Sequence, residues 1–520
     1  MELTITGRYL ILPINRYARR KNLAFYENGS LVYDFDAYLD TVSPQHTTYM
    51  DLSALLGKTL TVTIEPCMEF SFAFTDEIPN DSVYREPYRP TVHFSTKIGW
   101  INDPNGLIYH NGQYHLFYQH NPAGNMWDNM TWGHAVSRDL IHWEEKSDAL
   151  FPDRLGTMFS GSAIADTKRI TPFEQTEDGV MLLYYTAAGN NSKLSKGQPF
   201  TQCLAYSNDN GITFHKYENN PIIGHIEGAN RDPKVIFCDE LGTYLLALYL
   251  DGDRYAIFKS SDLIHFEEFG RLSLPGDDEC PDLYPLTLEE DPTVRKWIFS
   301  GASDTYLVGD MTESGFIASD EVKPYFYGRR TSYAAQTFSG TGSRRIKIAW
   351  DVLPAPNAIF ENQMGIPTEV TLTRVKDRFR LRTLPVREFE ALRQEGAEYS
   401  LNSSEFKTTL FGKAFDMILT ATRDSAPFNL SFLGHSFRVN TDENTLSYRD
   451  VTLPLSYTDS PITLRIITDT LGCEVFLDNG LIYTVADGVS DYNLKTLTVK
   501  AKDGKAVNGT LTVHTLATIH

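Results

Sequence analysis

The feature that most constrains the fold of this chain is a hairpin that recurs five times through its middle. Each copy has a short strand with alternating apolar residues, a polar turn and a second, aromatic strand. The copies begin near residues 106, 161, 234, 284 and 334. One four-stranded sheet cannot bury both of its faces alone, so such units pack radially around an axis. The repeat therefore predicts a five-bladed β-propeller over residues 91–384.

Strand-like runs also dominate both ends of the chain, and long stretches with a 3.6-residue period are almost absent. We expect a small N-terminal β-sandwich-like accessory domain over residues 1–90 and a C-terminal β-sandwich over residues 394–520. Residues 385–393, which include the best helix candidate (VREFEALR), are the expected linker. The predicted fold class is all-β; one large sandwich with accidentally similar hairpins is the alternative.

Composition limits the partners that the chain can have. It contains 47 Lys and Arg against 67 Asp and Glu, a net charge of −20, whereas nucleic-acid binding needs clustered basic residues. No apolar run approaches the ~20 residues that cross a bilayer, and the N-terminus lacks a signal-peptide pattern. We therefore expect no nucleic-acid or membrane partner, and a cytoplasmic location unless a leader has been removed. Five scattered cysteines indicate neither a disulfide framework nor a zinc site.

Carboxylates recur at one position of the repeat, just before the innermost strand of the blade. The first blade has Asn102-Asp103-Pro104, the third has Arg231-Asp232-Pro233, and the fourth has Glu279-Cys280-Pro281. Innermost strands converge at one mouth of a propeller, and crowded carboxylates cost repulsion and desolvation. Each motif taken alone is more often a turn cap, but their matched register favours a site. Paired carboxylates flanking a glycosidic bond are the usual groups for sugar hydrolysis or transfer.

At these residues the sequence resembles glycoside hydrolase family 32, the family of invertases, levanases and inulinases. The resemblance rests on WINDPNG at 100–106, FSGS at 159–162, RDP at 231–233 and ECPD at 279–282. It covers about residues 91–520 and implies a five-bladed propeller followed by a β-sandwich. The first 90 residues show a looser resemblance to an accessory β-domain that precedes some bacterial members.

The resemblance also implies roles for individual residues. Asp103 matches the nucleophile, Asp232 the transition-state stabiliser, and Glu279 the acid/base. The positions that match residues around a terminal fructosyl unit are Asn102, Gln119, Trp127, Phe159, Ser160, Arg231, Tyr333 and Trp350. Neither a metal nor a cofactor is expected.

The expected activity is that of a retaining, exo-acting glycoside hydrolase that releases terminal β-D-fructofuranosyl residues from sucrose, fructo-oligosaccharides, levan or inulin. A fructosyltransferase on the same scaffold, an inverting five-bladed arabinan or xylan hydrolase, and a fructan-binding protein without catalysis are the alternatives. The family's usual residues are replaced by Thr331-Ser332 before Tyr333 and by Thr368 in Pro367-Thr368-Glu369. These departures leave the leaving-group preference open. The linkage preference and the oligomeric state are also open.

Overall fold

The computed structural model describes residues 1–79, 83–319, 323–324, 328 and 330–520. Within them the chain forms 42 β-strands and two short 3₁₀ helices, which confirms the all-β prediction. Neither helix is long and apolar enough to cross a bilayer.

The N-terminal strands form two small sheets. Their bounds are β1 (Glu2–Thr4), β2 (Tyr9–Ile14), β3 (Lys21–Glu27), β4 (Ser30–Ala37), β5 (His46–Asp51), β6 (Thr59–Glu65) and β7 (Phe74–Thr75). One sheet has the order β1-β6-β3-β4 and the other β5-β2-β7. Alternate residues of β2, namely Leu10, Leu12 and Ile14, are buried, as the period of two in a strand requires. They join one apolar core with residues of β3 and β4.

The middle of the chain forms five blades, with one 3₁₀ helix (Ser53–Leu55) before them. Blade 1 contains β8 (Gly99–His110), β9 (Gln113–Asn121), β10 (Thr131–Ser137) and β11 (Trp143–Glu145). Blade 2 contains β12 (Thr157–Asp166), β13 (Val180–Ala188), β14 (Phe200–Ser207) and β15 (His215–Lys216). Blade 3 contains β16 (Arg231–Cys238), β17 (Thr243–Asp251), β18 (Arg254–Ser260) and β19 (Glu267–Ser273).

The last two blades share one extended sheet. Blade 4 contains β20 (Asp282–Leu288), β21 (Asp291–Ser300), β22 (Thr305–Thr312), β23 (Gly315–Ala318) and β24 (Lys323–Pro324). Blade 5 contains β25 (Ser332–Thr337), β26 (Ile346–Asp351), β27 (Phe360–Glu361), β28 (Gln363–Met364), β29 (Thr368–Val375) and β30 (Arg378–Pro385), of which β27 pairs into blade 1. A single parallel pairing, Leu288 with Leu372, joins the two blades.

The blades close into a ring. The innermost strands contact one another in the order β8, β12, β16, β20, β25 and back to β8. The segment after β26 completes the closure, because Phe360 and Glu361 pair in parallel with Gly99 and Trp100 of blade 1. Every residue of β13 is buried, and its sequence is almost continuously apolar because both faces of a blade pack on neighbouring blades. The five-bladed propeller expected from the repeat is therefore the observed architecture.

The C-terminal strands form two six-stranded sheets with a shared apolar core. Their bounds are β31 (Arg393–Ser403), β32 (Glu405–Thr409), β33 (Phe415–Ala421), β34 (Phe428–Phe432), β35 (His435–Asn440), β36 (Thr445–Tyr448), β37 (Val451–Pro454), β38 (Ile462–Thr468), β39 (Gly472–Leu477), β40 (Ile482–Asp487), β41 (Thr496–Ala501) and β42 (Val507–Leu516). The helix candidate before them forms a 3₁₀ helix, Arg387–Leu392. Its Phe389 and Leu392 pack into the core between propeller and sandwich.

Candidate active site

The innermost strands lose their regular pairing where the predicted site residues lie. The register of β8 shifts between Ile101 and Pro104, that of β12 between Phe159 and Gly161, and that of β16 between Arg231 and Lys234. A bulge adds an unpaired residue, bends the strand and changes the direction of a side chain. Asp103, Ser160 and Asp232 lie within these three bulges, and all three line the same cavity.

Two of the three acids also have an unusual backbone. Asp232 has φ of 65° and Glu279 has φ of 56°, and the next residue, Cys280, has φ of 35°. Residues other than glycine rarely adopt this left-handed region, and they are concentrated at functional sites where surrounding contacts impose the conformation. The Arg231-Asp232 and Glu279-Cys280 segments are therefore shaped to direct side chains and not merely to connect strands.

The structure brings all eleven residues predicted for the site to one cavity of about 290 Å³. Asp103, Asp232 and Glu279 lie together in its wall. Around them are Asn102, Gln119, Trp127, Phe159, Ser160, Arg231, Tyr333 and Trp350. All five blades contribute to this cavity. The fourth contributes only Glu279, which lies in the loop before its first strand, β20. Sequence positions more than 200 residues apart thus share one pocket.

Asp103 is held by side-chain donors on both carboxylate oxygens. Ser160 Oγ donates to Asp103 Oδ2 at 2.6 Å, and Asn102 Nδ2 donates to Oδ1 at 3.1 Å. The Asn102 amide is itself fixed, because its oxygen accepts a hydrogen bond from Trp100 Nε1 at 2.8 Å. Burial raises the pKa of Asp103, and the nearby charge of Glu279 acts in the same direction. The hydrogen bonds thus orient the carboxylate but only partly offset the effect of burial on its pKa.

Asp232 is the most enclosed of the three acids. Its Oδ2 accepts the backbone N–H of Cys280 at 3.0 Å, and Arg231 Nε lies 3.7 Å from the same oxygen. Burial raises the pKa of Asp232 to about 7, against the effect of Arg231 and with that of the Asp103 charge. Its own backbone N–H donates to Thr186 Oγ1 at 2.9 Å, which anchors the bulge to blade 2.

Glu279 is clamped between a cation and a phenol. Arg231 donates to its Oε1, and Tyr333 Oη donates to its Oε2 at 2.8 Å. The Arg231 guanidinium lies over the Tyr249 ring, 4.5 Å from its centroid, which fixes the plane that faces the acid. Burial raises the pKa of Tyr333, and the charge of Glu279 raises it further, so the phenol stays protonated as a donor.

Aromatic rings form the remaining walls. Trp127 meets Phe159 edge to face at 5.9 Å, and Trp100 meets Trp350 in the same way, also at 5.9 Å. The Trp127 side chain is 49% exposed, a larger fraction than that of any other Trp in the described residues. The Trp350 Nε1–H is buried and has no hydrogen-bond partner among the residues that the structure describes, so it is a donor available to a ligand.

Three contacts in the site were not predicted from the sequence. The Cys280 thiol lies between two acids, 3.5 Å from Asp103 Oδ2 and 3.4 Å from Asp232 Oδ2, and burial raises its pKa well above the usual value. Thr186 supports Asp232. The amide of Asn105, oriented with its oxygen toward Gln119, accepts a hydrogen bond from Gln119 Nε2 at 2.8 Å. Cys280 and Asn105 fall inside the recognised motifs, so their position was a usable signal, whereas Thr186 has none.

One group of potential metal ligands lies outside the cavity. Among the residues that the structure describes, His93, Asp351 and Glu474 have ligand atoms within 4.8 Å of one another. Asp351 follows Trp350 in β26, and successive residues of a strand point to opposite faces. The group therefore lies behind the pocket wall, between propeller and sandwich.

Comparison with known proteins identifies the family. The model for the "Glycosyl hydrolases family 32 N-terminal domain" matches residues 93–383. The chain belongs to glycosyl hydrolase family 32. It is a glycoside hydrolase, as the resemblance implied.

Two curated relatives of this family 32 member support the assignment. A levanase of Bacillus subtilis (strain 168) is 30% identical over 506 residues, which cover 86% of this chain and 73% of the levanase. An extracellular exo-inulinase of Aspergillus awamori is 30% identical over 422 residues, covering 70% of this chain and 77% of the inulinase.

Solved structures show the same fold. The crystal structure of exo-inulinase from Aspergillus awamori superposes with a TM-score of 0.75 at 24% identity, covering 84% of this chain and all of that one. A β-fructofuranosidase from Schwanniomyces occidentalis, complexed with fructosyl-erythritol, gives 0.73 at 22% identity, covering 85% of this chain and all of that one. These likenesses support the propeller and sandwich architecture of the family.

Proposed function

We propose that this family 32 member is a retaining, exo-acting β-fructosidase that releases terminal β-D-fructofuranosyl units from sucrose, fructo-oligosaccharides, levan or inulin. The observation that carries the proposal is the convergence of Asp103, Asp232 and Glu279 on one small cavity. Its volume, about 290 Å³, lies at the lower end of ligand pockets, on the order of 300 Å³, and suits one sugar ring. The levanase and exo-inulinase relatives act on polymers of such units.

In the first step, Glu279 donates its proton to the leaving glycosidic oxygen while Asp103 attacks C2 of the fructosyl ring. The C2–O bond breaks, its electron pair stays on the protonated leaving sugar, and a fructosyl ester forms on Asp103. Ser160 and Asn102 hold the attacking carboxylate in one orientation. Asp232, beside both, accepts hydrogen bonds from fructosyl hydroxyls and stabilises the positive charge that develops on the ring.

In the second step, the carboxylate of Glu279 takes a proton from water, and the oxygen of that water attacks C2. The ester bond to Asp103 breaks, fructose leaves with retained configuration, and Glu279 is again protonated. Tyr333 and Arg231 hold both oxygens of Glu279, so the group stays in place as it changes roles. The unpartnered Trp350 Nε1–H is a donor for a sugar hydroxyl.

The test is a product analysis with sucrose, 1-kestose, inulin and levan. We expect free fructose as the first product from each substrate, with no early oligosaccharides from the polymers. In water–methanol mixtures, a retaining enzyme gives methyl β-D-fructofuranoside, which NMR distinguishes from the α anomer. Early release of oligosaccharides would contradict exo action, and the α anomer would contradict retention.

The variants Asp103→Asn and Glu279→Gln test the assigned roles. Asp310→Asn is the matched control, because Asp310 is a half-exposed acid of blade 4 that pairs with Lys296. We expect fructose release to be lost in the first two variants and kept in the control. Trisaccharide formation at high sucrose would instead indicate a fructosyltransferase, and sugar binding without turnover would indicate a binding protein.

A further inference from the structure

The N-terminal domain contacts two loops of the propeller, the first of which carries Trp127 of the cavity wall. The first mouth loop, residues 122–130, joins β9 to β10 and carries Trp127. The second mouth loop, residues 189–199, joins β13 to β14 and leads directly into Phe200. The Phe200 ring packs edge to face against Phe159 at 5.5 Å, and Phe159 packs against Trp127. Both loops therefore support one aromatic wall of the cavity.

The first mouth loop is fixed to strand β4 by a paired hydrogen bond. Asn129 Oδ1 accepts the backbone N–H of Asp36 at 2.8 Å, and Asn129 Nδ2 donates to the backbone oxygen of Asp36 at 2.7 Å. The Asn129 amide thus occupies the position of a neighbouring strand's peptide group. Asn129 is 9% exposed, and breaking such buried contacts leaves polar groups unpaired.

A shared cation strengthens the same contact. Arg20 lies 2.9 Å from the carboxylate of Asp36 and 2.7 Å from that of Asp128, the residue after Trp127. Asp128 is 7% exposed, so its charge has little contact with water. Burial raises the pKa of Asp128 to about 6, and Arg20 opposes that rise. The two residues that follow Trp127 are therefore both held by the N-terminal domain.

The base of the first mouth loop enters the core of the N-terminal domain. Thr48 Oγ1 donates to the backbone oxygen of Ala123 at 2.9 Å. Ala123 is fully buried and belongs to the same apolar cluster as Ile14 and Leu39. The loop is thus anchored on both sides of Trp127, before it by apolar packing and after it by polar contacts.

The second mouth loop is held by the same strand. Asp34 accepts the backbone N–H groups of Lys193 at 3.0 Å and Leu194 at 2.9 Å, one on each carboxylate oxygen. Lys193 Nζ also pairs with Glu65 at 2.5 Å. Strand β4 thus contacts both loops at once, the second through the carboxylate of Asp34 and the first through the backbone of Asp36, two residues further along.

We propose that strand β4 of the N-terminal domain is a clamp that positions Trp127 and thereby sets the affinity of the cavity for its sugar. Asp34, Asn129 and Arg20 are positioning residues of this clamp. They touch neither the three acids nor the cavity, and they act through the aromatic wall. The inference rests on the proposed function for its kinetic readout. It predicts that loosening the clamp raises KM and leaves kcat nearly unchanged, since Asp103 and Glu279 keep their own contacts.

The first test compares Asn129→Gly and Asp34→Ala with Glu27→Ala, in the full chain. Glycine at 129 tolerates the positive φ of 47°. It removes the amide's contacts with Asp36 and also its hydrogen bond to Asn121 Oδ1 at 3.1 Å, whereas Asp34→Ala leaves the bond to Asn121 in place. Glu27 is an exposed acid of the same domain that pairs with Lys58, so its loss controls for general damage there. With sucrose we expect KM to rise about two- to twelve-fold in the first two variants, the range that the net contribution of one hydrogen bond gives, and kcat to change very little. Unchanged KM in both variants would overturn the proposal.

A double-mutant cycle shows whether the clamp acts through Trp127. In a Trp127→Ala background, Asn129→Gly should raise KM less than two-fold further, because the group that it positions is already gone. Independent, multiplying effects would overturn the proposal. Arg20→Lys keeps the cation between Asp36 and Asp128 and should restore most of the affinity that Arg20→Met loses.

A readout without substrate separates this proposal from the proposed function. Acrylamide quenching of Trp127, taken as the difference between each protein and its Trp127→Phe partner, should increase in Asn129→Gly and not in Glu27→Ala. If no fructoside is cleaved but quenching increases, the proposed function fails and the clamp stands. If fructose is released with unchanged KM and quenching is also unchanged, the clamp fails alone. Asp34→Asn, which keeps one acceptor, replaces Asp34→Ala if the latter does not fold.

Discussion

Two groups of three carboxylates, each beside one cation, can be compared within this chain. The pocket group contains Asp103, Asp232 and Glu279 with Arg231, and the interface group, between propeller and sandwich, contains Asp351, Asp469 and Glu474 with His93. Both are built from residues far apart in sequence. They differ in the donors that surround them.

Within the interface group, Asp469 is satisfied mainly by the backbone. Asp469 accepts the N–H groups of Thr91, Val92 and His93 as well as the His93 ring nitrogen Nδ1 at 2.8 Å. Glu474 accepts the N–H of Ile366 at 2.6 Å. In the pocket, by contrast, the donors to Asp103 are side chains, and the carboxylates face an open cavity.

The pKa values of Asp469 and Asp232 follow this difference, whereas burial raises the pKa of Asp351 well above its usual value. Burial would raise the pKa of Asp469, but the hydrogen bonds from His93 and the backbone hold it below its usual range. Burial would likewise lower the pKa of His93, and the contacts with Asp469 and Glu474 raise it to about 10 instead. Burial raises the pKa of Asp232 to about 7, with no comparable compensation. Crowded carboxylates therefore do not mark a reaction centre by themselves. A shortage of donors does not mark one either, since Asp351 Oδ1 is buried without a partner among the described residues. The pocket differs because its three carboxylates line an open cavity.

The largest expected effect separates activity from stability in the pocket group. Asp103→Asn should lower kcat on sucrose by about a thousand-fold or more, because the attacking oxygen is lost. The folded protein binds a proton to Asp103 more tightly than the unfolded chain does, so ionised Asp103 costs stability above its unfolded pKa. Asp103→Asn should therefore keep or raise the melting temperature at pH 7. A variant that loses activity together with several degrees of Tm would contradict this assignment.

The same change in the interface group should have the opposite outcome. Asp469→Asn leaves a buried His93 cation with one partner fewer, and breaking a buried ion pair costs about 3–5 kcal/mol. We expect the free energy of unfolding in urea to fall by that amount. At a temperature where the variant is folded, kcat and KM should stay within two-fold of wild type. A stable but inactive variant would show that the interface group has a catalytic part.

The pH dependence of stability tests the interface group in a second way. The pKa of His93 is raised in the folded state, so the stability that it contributes is complete below its unfolded value of about 6.5 and is lost as pH rises through about 10. The raised pKa of Asp232 means that the folded state binds its proton more tightly than the unfolded chain. The stability that this proton contributes is lost at lower pH, as pH rises from about 4 to 7. The fall in unfolding free energy from pH 7 to 9 should thus be smaller in His93→Gln. An equal slope in both proteins would assign the loss to other groups.

The sequence was sufficient for the ring and for the pocket because both depend on local signals that recur. The five hairpins carry the same strand and turn pattern, and a proline follows Asp103 and Asp232 directly and Glu279 by two residues, at comparable points of the blades. The family motifs then identified their neighbours, including Tyr333 and Trp350. The cavity collects these residues because ring closure brings equivalent positions of successive blades together.

The contacts that the sequence did not reveal join residues with no local pattern. Asn129 and Asp36 are 93 positions apart, and the hydrogen bonds between them involve a backbone that any residue could supply. His93 and Asp469 are 376 positions apart, and the two acids around His93 resemble ordinary strand residues. Val386–Arg393 has the apolar spacing of a helix, but the chain there forms a short 3₁₀ turn, because Phe389 and Leu392 must both reach the core between two domains.

The smallest expected effects come from a matched pair of tyrosines, one in each group. Tyr333 donates to Glu279 Oε2 and Tyr483 donates to Glu474 Oε2, both at 2.8 Å. Tyr→Phe removes this hydroxyl in each case, and at Tyr333 it also removes a contact of 3.0 Å with Asp278 Oδ1. Tyr333→Phe should lower kcat/KM by about ten-fold, as one hydrogen bond to a charged group is worth about 1.5 kcal/mol, and should leave Tm nearly unchanged. Tyr483→Phe should lower the free energy of unfolding by about 1.5 kcal/mol and leave kcat/KM unchanged. If both variants lost activity and stability in the same proportion, the distinction between the pocket group and the interface group would be wrong. Hydrogen bonds of equal length would then have the same effect in both groups.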